Sequence, residues 1–109
     1  MPAPPLLAAD LIGELPAHDL LHILALFRTD LHRLTAAIEA AAAAADLPAL
    51  RRAAHGLAGA AGSLGAADLE AACRRAMAAP SPAHAPEIRT LADAADQGID
   101  DAIARITPQ

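Results

Sequence analysis

The chain has no tryptophan and no tyrosine, and only one phenylalanine, Phe27, among its 109 residues. β-Branched residues are scarce too, so little in the composition favours strands. A single cysteine, Cys73, leaves no partner for an internal disulfide, and this suits a reducing compartment. No basic patch of the nucleic-acid-binding kind is present and the formal charge is −5, which sets DNA and RNA aside as partners. The apolar runs are interrupted by charges too often for a membrane span. No positive segment precedes an apolar one in the manner of a secretory signal, so a soluble cytoplasmic protein is expected. No phosphate loop of the G-x-x-x-x-G-K type exists, which excludes nucleotide binding by that route.

What is there is heavily skewed to alanine, the best helix former. A chain of 109 residues is one domain and can bury an adequate core without disulfides or a metal. The expected class is all-α. Residues 1–5 carry three prolines and read as irregular. A short helix over 6–12 follows, with Gly13 as its stop. A helix over 17–45 carries Leu20, Leu24, Phe27, Leu31, Leu34 and Ile38 at alternating steps of 4 and 3, the seam of a bundle helix. The alanine run at its end holds no breaker and predicts helix up to Asp46. Asp46 then reads as an N-cap with Pro48 in the first turn of a helix over 47–64, whose seam is Leu47, Leu50, Ala54, Leu57, Ala61 and Leu64. A helix over 66–79 turns Leu69, Cys73, Ala76 and Met77 inward. Three prolines within residues 80–86 break the chain before a last helix over 86–106, with Ile88, Leu91, Ala95, Ile99, Ala102 and Ile106 inward. Short connections between four long helices predict an antiparallel up-down four-helix bundle, with the short N-terminal helix capping one end.

The stretch 54–77 stands out. It holds one histidine, His55, and glycines at positions 56, 59, 62 and 65. His55 follows the seam residue Ala54, so it flanks the core and is expected to be partly exposed. Arg51 and Arg52 lie one turn before it; Ala58 and Gly59 lie one turn after it, and Gly62 two turns after. Glycine inside a helix costs up to ~1 kcal/mol relative to alanine. Either the glycines admit a neighbouring helix of the bundle, or they clear space for an external partner around the imidazole. The imidazole is a nucleophile near neutral pH and its neutral form can accept a group on a ring nitrogen. No serine or cysteine with a paired base accompanies it, and Ser63 lies eight residues on. His18 and His22 are i, i+4 on one helix but lack a third ligand, so they read as a solvated face, as do His32 and His84. Cys73 reads as a buried, inert thiol. A lone accessible histidine on a small bundle suits a group carrier that borrows its partners' machinery.

His55, Leu57, Gly59, Leu64, Gly65, Leu69 and Cys73 stand at the spacing of a pattern written H-x-L-K-G-x-x-x-x-[LF]-G-x-x-x-L with a small residue or cysteine four positions on. Phe27 and Asp46 extend the match into the preceding helix. The chain thus resembles the histidine-containing phosphotransfer (HPt) domain of two-component phosphorelays over most of its length. The resemblance implies that His55 takes a phosphoryl group, on Nε2, from the phospho-aspartate of a receiver domain and passes it to another receiver. Partners would be response-regulator receivers and a hybrid histidine kinase. The receiver would supply Mg²⁺ and the acidic pocket, so no cofactor of the chain's own is implied. The domain would act as a monomeric carrier without an enzyme's active site. Its docking face would be the His55 side of the third helix, with Gly59 and Gly62, and neighbouring parts of the second. At Ala58 the family usually has lysine; Arg51 or Arg52, or else Arg74 or Arg75, would have to replace that charge. A non-catalytic module of the same fold, which binds and regulates a receiver or kinase, is the alternative. A dimeric phosphotransferase attached to a degenerate kinase is a third.

Overall fold

The protein is described here by a computed structural model over residues 14–107. The short helix expected over 6–12 lies outside the described residues. Four helices follow in order: α1 (Ala17–Ala43), α2 (Leu47–Leu64), α3 (Ala67–Ala78) and, after a 3₁₀ turn at Pro82–His84, α4 (Ala85–Ile106). The two- and three-residue links at 65–66 and 44–46 are too short to carry the chain back along a helix, so α1, α2 and α3 alternate in direction. Each helix packs on its neighbours in sequence, and α4 closes the bundle against α1.

The seam of α1 is buried at Leu20, Leu24, Leu31 and Ile38, with Phe27 and Leu34 half-buried beside it. Thr35, which apolar periodicity passes over, is also buried; its hydroxyl donates to the Leu31 carbonyl at 2.6 Å, so no polar group is left unpaired there. α2 buries Leu50, Ala54, Leu57, Ala61 and Leu64 as its pattern predicts, and adds Ala53 and Ala58. Leu47 is 39% exposed, because the first residue of the helix sits at the bundle's end, before α2 reaches the core. In α4 the buried line is Ile88, Ala92, Ala95, Ile99 and Ala102; Ala92 takes the place expected of Leu91, which is half-buried on the flank. Ten of the twenty-one buried apolar residues are alanines, so the helices approach closely and the core contains little apolar area per residue.

Two helix ends share one device. α1 stops at Ala43, short of the expected Asp46, where Ala45 adopts φ 52°. The Asp46 N–H reaches the Ala41 carbonyl at 2.9 Å and the Ala45 N–H reaches Ala42 at 3.1 Å. α2 ends identically at Gly65, φ 83°, with Ala66 bonded to Ala61 at 2.8 Å and Gly65 to Gly62 at 3.2 Å. Both are Schellman ends. Absence of a breaker therefore did not keep α1 helical: Asp46 was committed to capping α2, where its carboxylate accepts from the Ala49 N–H at 3.1 Å.

Polar side chains tie α4 to α1. Arg28 donates through Nε to Asp96 at 3.0 Å and also engages Asp100. His32 Nε2 meets the same Asp96 oxygen at 3.0 Å. Arg89 holds Glu39 through two nitrogens, one of them at 3.2 Å. The connection between α3 and α4 is fixed by His84, whose Nε2–H donates to the Ala79 carbonyl at 2.8 Å, and by Ser81, whose hydroxyl accepts from the Ala83 N–H.

Candidate functional site

Ala54, Leu57, Ala58 and Ala61 turn one stripe of α2 to the core, and the adjoining stripe carries His55, Gly59 and Gly62. Ala54 is fully buried while His55, one position on, is exposed, so the imidazole emerges at the margin of the core. It opens onto a groove of about 550 Å³ between α2 and α3. α2 contributes His55, Ala58, Gly59, Gly62 and Ser63 to its lining; α3 contributes Glu70, Arg74 and Met77. Among the described residues, the hydrogen bonds and ion pairs made by histidine rings belong to His18, His32 and His84.

The three glycines inside α2 serve three different ends. A Cβ on Gly56 would stand 3.1 Å from Leu34 Cδ2, so this position sets the approach of α1 to α2. A Cβ on Gly62 would stand 2.9 Å from Glu70 Oε2, so this position admits the side chain of Glu70 from α3. A Cβ on Gly59 would meet nothing within 4 Å. No packing requirement excludes a side chain there, and Gly59 alone of the three leaves open space on the His55 face. The packing explanation thus accounts for Gly56 and Gly62, and Gly59 is left with open space that packing does not require.

Of the residues singled out in the sequence, the groove brings His55, Ala58, Gly59 and Gly62 together. Ala58 is 6% exposed and forms part of the floor. Arg51 and Arg52 are exposed one turn earlier on α2 and do not line the groove. Arg75 faces away, paired with Glu87 of α4. Arg74 does line it, and its Nη2 donates to Glu70 Oε2 at 2.8 Å across the surface left by Gly62. Glu70 was missed by sequence reasoning. The available signal was its i, i+4 spacing to Arg74 on a helix that a two-residue link folds back along α2.

Cys73 is fully buried in α3, and burial pushes its thiol up to about 11, so at neutral pH it is neither thiolate nor nucleophile. His18 is paired with Asp19 at 3.1 Å, and among the described residues no group of three or more histidine, cysteine or acidic side chains is placed to hold a metal ion. No helix of the described residues is long and apolar enough to cross a membrane. The groove therefore offers one exposed imidazole, one adjoining ion pair, and open space over Gly59.

A family model described as "Hpt domain" matches residues 22–106, which takes in most of α1 and all of α2, α3 and α4. No curated protein and no solved structure matches the chain significantly.

Proposed function

The chain belongs to the Hpt domain family, and on that premise we propose that His55 is the phosphoryl-accepting residue of a carrier working between receiver domains. The family implies phosphorelay histidine phosphotransfer in general and interaction with response-regulator receivers. The observation that supports His55 in that role is its exposed position beside the open face of Gly59. The lone pair of Nε2 attacks the phosphorus of a receiver's aspartyl phosphate. The N–P bond forms as the P–O bond to the aspartate breaks, and the aspartate leaves as a carboxylate. The ring then holds a proton on Nδ1, which passes to solvent. Reversal onto a second receiver completes the relay. Mg²⁺ and its acidic pocket belong to the receiver, so the chain's task is positioning and charge, on which phosphoryl transfer chiefly depends.

Ala58, Gly59 and Gly62 border the approach path. Arg51 and Arg52, exposed on the turn before His55, are assigned to the receiver's acidic surface, where rim charges act mainly on association. The carrier is read as a cytoplasmic monomer, with a hybrid kinase as one source of the phosphorylated receiver. Incubation with a phosphorylated receiver tests this reading. Wild type should acquire an acid-labile, base-stable label that His55→Gln does not. Binding to the receiver with no label on either protein would favour a regulatory module of the same fold.

A further inference from the structure

A phosphoryl group on His55 brings up to about two negative charges into a groove that already holds the Glu70 carboxylate. Where the resemblance calls for lysine the chain has Ala58, and it contains no lysine at all; its eight cations are all arginines. Their placement separates them. Arg28 is engaged by Asp96 and Asp100, Arg33 by Asp30, Arg75 by Glu87, and Arg89 by Glu39 and Asp93. Arg105 lies in the last turn of α4. Arg51 and Arg52 stand outside the groove, and Arg74 is the arginine that lines it.

Resting on the reading of His55 as carrier, we propose that Arg74, from the neighbouring helix α3, supplies the positive charge for the phosphoryl group on His55. Glu70 accepts from one terminal nitrogen of Arg74. A guanidinium has five N–H donors in a planar fork, so others remain for a phosphoryl oxygen while that bond is kept. Arg74 is 70% exposed, so its reach toward the groove disturbs no packing. Gly62 belongs to the same arrangement, because a Cβ there would meet the Glu70 carboxylate that holds Arg74. The charge that the family takes from the histidine's own helix thus comes from across the groove.

The test needs no partner protein. Phosphoramidate phosphorylates exposed imidazoles: its P–N bond breaks, ammonia leaves, and the bond from a ring nitrogen to phosphorus forms. The signal missing from His55→Gln is that of His55, distinct from those of the exposed His18, His22 and His32. The second ionisation of the phosphoryl group, near pH ~6 for phosphorylated side chains, is then followed by ³¹P NMR. A nearby cation favours the dianion and lowers that ionisation. Arg74→Gln should raise it by about half a unit or more, while Arg75→Gln, with the same change in net charge, leaves it in place. Equal shifts in both variants, no shift in Arg74→Gln, or a larger shift in Arg51→Gln or Arg52→Gln would each overturn the proposal. So would failure of His55 to take the label. A receiver that does not transfer to His55 would sink the carrier reading and leave this titration intact, so the two failures are separable.

Discussion

Gly59 is where stability and function pull in opposite directions within one residue. A helix interior favours alanine over glycine by up to ~1 kcal/mol, and here a Cβ meets nothing within 4 Å. Gly59→Ala should therefore raise stability by roughly 0.5–1 kcal/mol, measured by denaturant unfolding. The same methyl projects into the space beside His55 and should slow transfer from a phosphorylated receiver. Added stability with an undiminished transfer rate would show that the open face does not serve docking. Cys73 gives the converse case. Its thiol has the chemistry to react, but complete burial raises it to about 11 and leaves it a packing residue.

The two Schellman ends allow the same comparison between elements. Their hydrogen-bond patterns match, but α2 places glycine at the left-handed position and α1 places Ala45 there at φ 52°. A left-handed conformation costs an L-residue roughly 1–2 kcal/mol, part of which glycine gives back through its freer unfolded chain. Ala45→Gly should stabilise the bundle by about 0.5–1 kcal/mol, and Gly65→Ala should destabilise it by about 1 kcal/mol or more. Paired unfolding curves check both signs at once. These ends also mark what the sequence could and could not convey. Strong local signals were legible: the α1 and α2 seams, the Asp46 cap and the proline break before α4. The end of α1 was not, because alanine's helix propensity gives no sign that the next helix has claimed Asp46. Thr35 was not, because its burial depends on a hydroxyl turned back to Leu31.

Across the whole molecule the side chains divide the labour by face. The α2–α3 side carries the open groove, and the α1–α4 side is joined by ion pairs spanning fifty residues or more of sequence. Such pairings leave no local signature, so the roles of His32, Arg28 and Glu39 emerge only from the fold. Glu39 makes this side pH-dependent. The hydrogen bond from Arg89 holds its carboxyl below the ordinary 4.5, reinforced by the Arg89 charge and opposed by partial desolvation. A carboxyl lowered in the folded state adds stability above its unfolded value and loses that contribution as pH falls through the folded one. Thermal midpoints should fall on acidification below about pH 4.5, and Glu39→Gln should flatten part of that fall while lowering the midpoint at pH 7. A variant with the wild-type profile would show that the Arg89 clamp does not couple to folding. At the same scale, His55 stood out in the sequence as a candidate because its motif is contiguous, whereas the fold alone brings Glu70 to its groove and selects Arg74 over Arg75 as a lining residue.

Whether His55 relays a phosphoryl group between two receivers is decided by a reconstituted relay. A ³²P-labelled donor receiver is mixed with an unlabelled acceptor receiver, with and without the protein, and the label on each is followed in time. Label should leave the donor, pass transiently through wild-type protein and arrive on the acceptor, and His55→Gln should stop it at the donor. Label reaching the acceptor equally fast with His55→Gln, or remaining on the donor although wild-type protein binds it, would show that His55 is not the relay residue.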